Sequence, residues 1–187
     1  MSAERIKQAA ILKFTENGYE GTSLSEIAEE VGIKKQSVYC HFKNKDDLVL
    51  TINQEIIQDD VDFLTRYFER MKDSPLEEVL HTLIDEYREK YLNDKKYKFM
   101  FLMSFIPPKH LEVYFLNSYN IHLLHLKTLL TAAFAKAPNI AVTTEEGITA
   151  FTTMFDGLMT QLVYETPKSF DKAFELSWKV YWRGISV

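Results

Sequence analysis

The sequence predicts an all-α fold of nine helices arranged in two domains. Apolar residues recur at intervals of three and four along most of the chain, which places them on one face of a helix. Six glycines and five prolines are few for 187 residues, and this scarcity of turn signals favours long helices. No stretch alternates apolar and polar residues as a half-buried strand does.

Three short helices are predicted in the N-terminal part. Ser23 with Glu26 three residues later forms a capping box that begins the second helix. Gly32 then provides a tight turn before the third helix. The three predicted helices span residues 2–17, 23–31 and 34–42.

The remaining helices are predicted to be longer. Asn44 caps the fourth helix, which has no internal breaker and is expected to link two parts of the molecule rigidly. Residues 99–103 are apolar on every side, so the sixth helix is expected to be buried. The acid pairs Glu29-Glu30 and Asp59-Asp60 are interpreted as solvated helix faces. The predicted ranges are 45–72, 75–92, 96–106, 108–136, 143–165 and a ninth helix from 167.

Residues 23–43 have the pattern of a helix-turn-helix motif. Such a motif needs a small residue where its helices cross, and Ala28 supplies it. It also needs a turn residue that tolerates positive φ, and Gly32 supplies that. Apolar residues face inward on both sides of the turn: Ile27, Val31, Ile33, Val38 and Phe42. We therefore predict a DNA-binding domain at residues 1–48 and a second domain at residues 49–187.

The distribution of charge supports this prediction, although the formal net charge of the chain is −5. Lysines 34, 35, 43 and 45 lie in a stretch, residues 31–45, that contains no acid. A local basic patch on an acidic protein favours DNA binding at one place and repels DNA elsewhere.

The exposed face of the third helix carries side chains suited to a major groove. Lysine donates to guanine, and glutamine pairs with adenine through two hydrogen bonds. The residues expected to read bases are Lys34, Lys35, Gln36, Ser37 and Tyr39. The residues expected to contact phosphates are Thr22, Ser23, His41, Lys43 and Lys45.

Residues 6–48 resemble the DNA-binding domain of the tetracycline-repressor (TetR) family. The matching positions are Phe14, Asn17-Gly18-Tyr19, Thr22-Ser23, Ile27-Ala28, Val31-Gly32-Ile33, Ser37-Val38-Tyr39, His41-Phe42, Lys45 and Leu48. The sequence departs from the family pattern at Lys34, where many members have a serine, and at Gln36, where glycine is frequent. Both departures bear on which operator sequence is read.

The resemblance implies a ligand-binding and dimerisation role for residues 49–187. It implies a homodimeric repressor on a palindromic operator of double-stranded DNA, released by a small, largely apolar or aromatic effector. Helices eight and nine would form a four-helix bundle with the same helices of a second subunit. The residues expected at that interface are Phe151, Leu158, Phe174, Trp178 and Tyr181.

An effector pocket is predicted between helices five to eight, with an ordinary core as the alternative for each residue. The candidates are Tyr87, Tyr91, Phe99, Met103, Phe105, Tyr114, Tyr119, His122 and Phe155. Glu86, Glu89 or Asp156 would suit a cationic effector. His122 and His125 share a helix face, but no further metal ligand lies at matching spacing, so neither a metal nor a cofactor is expected.

Two other classes of protein are alternatives to a ligand-responsive repressor. An activator or architectural DNA-binding protein without an effector would share the first 50 residues. A small all-α enzyme would need a catalytic set in the C-terminal part, and none is found, so no enzymatic activity is expected. No apolar run is long enough to span a membrane and the first residues do not form a signal peptide, so we expect a cytoplasmic protein.

Overall fold

A computed structural model describes residues 3–187, and within them the fold is all-α, as predicted. A short 3-10 helix, Lys109–Leu111, precedes α7, and the one β-type contact within residues 3–187 is an isolated bridge between Ile140 and Ser186. The α-helices are α1 (Ala3–Asn17), α2 (Leu24–Val31), α3 (Lys35–Tyr39), α4 (Lys45–Arg70), α5 (Leu76–Asn93), α6 (Lys95–Phe105), α7 (Glu112–Phe134), α8 (Thr144–Tyr164) and α9 (Pro167–Ile185).

The predicted helix caps are present. Ser23 and Glu26 form a reciprocal capping box at α2, and Thr143 forms the equivalent box at α8. At the start of α4 the Oδ1 atom of Asn44 accepts a hydrogen bond from the backbone N–H of Asp47 at 2.7 Å. Local sequence therefore determines where these three helices begin.

Two predicted helices are shorter than expected. The third ends at Tyr39 and not at residue 42, because the N–H of His41 bonds to the carbonyl of Val38, three residues back, and tightens the last turn. The seventh α-helix begins at Glu112, after the 3-10 turn. Residue 2, predicted as the start of the first helix, lies outside the described residues.

The chain forms two compact units whose limits differ from the predicted domain boundary. One unit comprises the chain up to Asp59 together with Asp94–Ser118, and the other comprises Asp60–Asn93 with Tyr119–Val187. The contacts thus group α6 with the N-terminal helices. The functional division at residue 48 remains a prediction.

The core of the first unit forms where α1 packs against α6 and α2. Phe14 of α1 is fully buried, and its ring lies 6.2 Å from that of Phe99 on α6. Residues 99–101 and Met103 are buried, which confirms the prediction for the sixth helix.

The core of the second unit is rich in aromatic rings. The ring of Tyr87 on α5 meets Phe63 and Phe155 edge to face, at 5.5 and 5.0 Å. Gly147 lets α8 approach the end of α7 closely, because a Cβ atom there would lie 2.5 Å from the Phe134 ring. No helix described for residues 3–187 is both long and apolar enough to cross a membrane.

Candidate nucleic-acid interface

The turn between α2 and α3 has helix-turn-helix geometry. Gly32 adopts the left-handed conformation with a φ of 76°, and the N–H of Ile33 bonds to the carbonyl of Ala28 at 2.9 Å. Ala28 is 2% exposed, and Val31 and Val38 are buried on either side of the turn. These contacts fix the direction in which α3 leaves α2.

One face of α3 is buried and the rest is open to solvent. Val38 is fully buried and anchors the helix. The ring of Tyr39 is 49% exposed, and the Nζ atom of Lys35 lies 5.9 Å from its centroid. All five residues predicted to read bases are exposed: Lys34, Lys35, Gln36, Ser37 and Tyr39.

An open depression of about 420 Å³ adjoins this face. Lys35 and Tyr39 border it on one side and Ser23, at the N-terminus of α2, on the other. A helix N-terminus with a nearby lysine is suited to a phosphate. Glu26 also lines the depression, but its carboxylate accepts the backbone N–H of Ser23 at 2.7 Å.

Two predicted phosphate contacts have structural roles in the described chain. Thr22 is 2% exposed, and its hydroxyl lies within hydrogen-bonding distance of the carbonyls of Lys13 and Gly18, at 3.0 and 2.8 Å. Its donor is therefore not available to a phosphate. We correct the prediction for this residue, which sequence alone could not separate from the exposed serine beside it.

The predicted phosphate contact is also corrected for Lys45. Its Nζ atom donates to the carbonyls of Tyr19 and Thr22, at 2.7 and 2.9 Å, and lies 3.9 Å from the centroid of the Tyr19 ring. The ammonium group thus ties the start of α4 to the turn between α1 and α2. Its charge contributes to the local potential, but two of its three donors are used within the chain.

The remaining predicted phosphate contacts, Ser23, His41 and Lys43, are exposed. The backbone N–H of Lys43 donates to Asp47 at 2.8 Å, and its side chain takes no part in that bond. Together with the α3 face, these residues form one basic surface that is open in the free chain.

A polar cluster beside this surface was not predicted. The hydroxyl of Tyr19 donates to the carboxylate of Asp46, and Nε2 of His110 lies 3.1 Å from the same oxygen. These two contacts, the first being the stronger, hold the pKa of Asp46 below its usual range. The 3-10 helix is thereby joined to the first turn of α4.

The predicted effector residues fall into both compact units. Phe99, Met103, Phe105 and Tyr114 belong to the first, where Phe99 packs on the helix-turn-helix core and Tyr114 donates to the Leu50 carbonyl at 3.3 Å. These contacts favour a core role for Phe99. The others lie in the second unit: Tyr87, Tyr91, Tyr119, His122 and Phe155.

Asp60, interpreted from sequence as solvated, is fully buried in the second unit, and that interpretation was wrong. Both of its oxygens lie near the Tyr87 hydroxyl, at 2.9 and 3.0 Å. Nδ1 of His122 approaches to 2.7 Å without the alignment of a hydrogen bond. The sequence feature that indicates this burial is the spacing of Asp60, which follows Ile56 by four residues and precedes Phe63 by three. This spacing places it on the apolar face of α4.

A second, partly buried acid lies in the same unit. Tyr119 donates to Asp156 at 2.7 Å. Burial raises the pKa of Asp156, and this effect exceeds the opposing effects of the Tyr119 hydrogen bond and the charge of His122. His125 has a different partner from His122, because its Nε2 lies 2.9 Å from the Thr65 hydroxyl.

The residues predicted for the dimer interface belong mainly to the interior of the single chain. Phe151, Leu158, Phe174 and Tyr181 are buried, and Trp178 packs against His81 with ring centroids 5.0 Å apart. An amphipathic helix buries its largest apolar side chains first, in its own subunit. The most exposed apolar residues of α9, Leu176 and Val180, line a shallow depression of about 790 Å³ between α8 and α9, and two of the predicted residues, Leu158 and Tyr181, line it as well.

Residues 6–52 match the sequence profile of a family described as bacterial regulatory proteins, tetR family. An uncharacterised HTH-type transcriptional regulator of Bacillus subtilis, YerO, is 31% identical over 110 residues, which is 59% of this chain and 38% of YerO. The negative transcriptional regulator of the biofilm operon icaADBC of Staphylococcus epidermidis, IcaR, is 38% identical over 63 residues, 34% of each chain. These matches thus span little more than a third of the relatives' own lengths.

The fold of the whole chain is shared with solved structures. SmeT, the repressor of the Stenotrophomonas maltophilia multidrug efflux pump SmeDEF, superposes with a TM-score of 0.74 at 17% identity, covering 100% of this chain and 91% of SmeT. At this identity the likeness establishes the fold. The relatives and the structure named here are described as regulators of transcription, and none is described as an enzyme.

Proposed function

We propose that this chain is a regulator of the TetR type, a sequence-specific DNA-binding protein that controls transcription as a homodimeric repressor. The observation that carries the proposal is α3, which is anchored by the buried Val38 and exposes every polar side chain around it. Such a helix is positioned to enter a major groove with its side chains free.

The chemistry of α3 defines what it would read. Lys34 and Lys35 suit guanine, and Gln36 suits adenine through N6 and N7. Tyr39 is placed to pack on a thymine methyl or to contact a phosphate. Phosphates would be held by Ser23 at the N-terminus of α2 and by the exposed His41 and Lys43.

The operator can be found without knowing the regulated genes. Purified full-length protein would be used to select duplexes from a random pool, and the bound duplexes sequenced. We expect an inverted repeat whose half-sites lie about one helical turn apart. Recovery of duplexes with no common sequence would contradict sequence-specific binding.

The homodimer is supported by the depression between α8 and α9. Leu176 and Val180 are 54% and 74% exposed, and the same depression is lined by small residues such as Gly157, where an added Cβ atom would meet no atom of another element within 4 Å. Small and apolar side chains at helical spacing allow two helix pairs to pack closely. We place the dimer contact on these exposed residues and no longer on the buried aromatic ones.

Release by a small effector is the second half of the proposal. The second unit offers aromatic surface and two acids, the fully buried Asp60 and the partly buried Asp156, to which an effector could respond. An effector shifts the equilibrium only by binding one state of the protein more tightly than the other. The test is operator release by a panel of candidate compounds, and unchanged operator affinity with every one of them would contradict it.

A further inference from the structure

We propose that a groove at the turn between α4 and α5 is a binding site for an amphipathic anion with one carboxylate and an apolar body. We call it the α4–α7 groove, because its walls are the last turns of α4 and α7 and its floor is the first turn of α5. Its volume is about 420 Å³, within the ~300–1,000 Å³ of small-molecule sites. The residues that line it include Phe68, Glu69, Lys72, Val79, Ala133 and Lys136.

The floor of the groove is apolar and well supported. Leu76 and Val79 of α5 are 7% and 4% exposed. The hydroxyl of the fully packed Tyr67 donates to the Val79 carbonyl at 2.5 Å, which holds α5 against α4. The Tyr67 ring in turn meets the half-buried Phe68 edge to face, at 5.5 Å. An apolar ligand would therefore rest on a surface that is already ordered.

The groove exists because the facing wall is built from small residues. Ala132, Ala133 and Ala137 occupy the end of α7 and the turn after it, so no long side chain fills the space opposite Phe68. Pro138 then turns the chain away. The longer side chains of Leu129 and Lys136 also border the space, and the alanines keep it open opposite Phe68.

The charged rim favours an anion. Nζ of Lys72 lies 2.7 Å from Glu69, and this contact, with a smaller effect from the charge of Lys136, holds the pKa of Glu69 below its usual range. Asp73, outside the lining, also acts on Lys72. Within residues 3–187 no acid lies at ion-pair distance from Lys136. Lys72 is thus paired with Glu69, whereas Lys136 has no ion-pair partner within residues 3–187, and a ligand carboxylate would supply one.

The groove is separate from the sites proposed above. None of the predicted effector residues lines it, and it shares no residue with the depression between α8 and α9. The inference therefore goes beyond the proposed function, and its test needs no DNA. A carboxylate on an apolar body of about ten carbon atoms matches the volume of the groove and the charge of the lysines on its rim.

Decanoate is the probe, and decyltrimethylammonium is its counterpart of opposite charge and similar apolar length. Binding to the full-length protein would be measured by isothermal titration calorimetry. The variants are Ala133→Trp, which fills the groove, Lys136→Ala, and Lys136→Arg, which keeps the charge. Lys168→Ala, an exposed lysine at the start of α9, is the matched control.

We expect decanoate to bind and decyltrimethylammonium to bind at least about tenfold more weakly. Ala133→Trp should weaken decanoate binding about tenfold or more, and Lys136→Ala should weaken it about fivefold. Lys136→Arg should restore the binding, and Lys168→Ala should leave it unchanged. Circular dichroism would confirm that each variant is folded. Equal binding of the two probes, no binding of either, or decanoate binding that Ala133→Trp leaves unchanged would each overturn the proposal.

Discussion

At the scale of single residues, the lysines around the helix-turn-helix have two different roles. Lys45 is held by two backbone carbonyls and the face of the Tyr19 ring, whereas Lys43 is exposed. A cation used within the chain stabilises the fold, and an exposed one is available to DNA. The two residues lie two positions apart, which makes them a matched pair.

Lys45→Met keeps the apolar stem and removes the ammonium group. We expect the free energy of unfolding to fall by ~1–3 kcal/mol, because two carbonyls lose a charged donor. Lys43→Met should leave stability unchanged and weaken operator binding, with a salt slope lower by about 1. Urea unfolding and salt titrations would measure both effects. Equal loss of stability in the two variants would contradict these roles.

Asp46 gives a prediction of pH dependence. Its pKa is lowered in the folded protein by Tyr19 and His110, so its contribution to stability is present above the unfolded pKa of about 3.9 and is lost as pH falls through the folded value. Asp46→Asn should therefore be less stable than the wild type at pH 7, and the gap should narrow below about pH 4. Urea midpoints measured across this range test it, and a gap independent of pH would count against it.

At the scale of helices, α4 joins the basic surface to buried polar contacts further along the chain. Asp60 lies in its middle with the Tyr87 hydroxyl and the His122 ring. A carboxylate in a low-dielectric interior is tolerated because these groups surround it. The arrangement ties α4 to α5 and α7.

Asp60→Ala should lower the free energy of unfolding by about 3 kcal/mol, since it leaves a hydroxyl and an imidazole without their partner. Asp59→Ala is the matched control, because the neighbouring carboxylate is exposed and its one ion pair within residues 3–187 is with Lys96, at 2.9 Å. The Asp59→Ala variant should lose less than about 1 kcal/mol of unfolding free energy. Similar losses in the two variants, measured by urea unfolding, would mean that the buried contacts contribute little.

Helix limits were predictable where local chemistry sets them. The capping boxes at Ser23 and Thr143 and the left-handed Gly32 are properties of a few adjacent residues. The burial of Thr22 and Asp60 was not predicted, because it depends on carbonyls and side chains from other helices. Apolar periodicity also located the faces of α8 and α9 but could not divide them between the core and an interface.

At the scale of the whole molecule, the proposed repressor depends on two copies. One short α3 gives few base contacts, and two half-sites on a dimer multiply them. The exposed apolar residues of α8 and α9 are the place where we expect the second copy to bind.

Val180→Glu should convert the dimer to a monomer, because it places a charge in an apolar interface. Lys179→Glu, on the same helix but outside the depression, is the control for an added acid and should remain dimeric. Size-exclusion chromatography with light scattering would measure the mass. A Val180→Glu variant that stays dimeric would place the interface elsewhere.

If the exposed face of α3 reads DNA, its side chains determine operator affinity, which fluorescence anisotropy measures. Lys35→Ala and Tyr39→Ala should each weaken binding to the selected duplex by ~1–3 kcal/mol per base contact while leaving the helical circular dichroism unchanged. Val38 lies between them, so folding controls are essential. Unchanged operator affinity in the folded double variant would show that another surface of the protein contacts the operator.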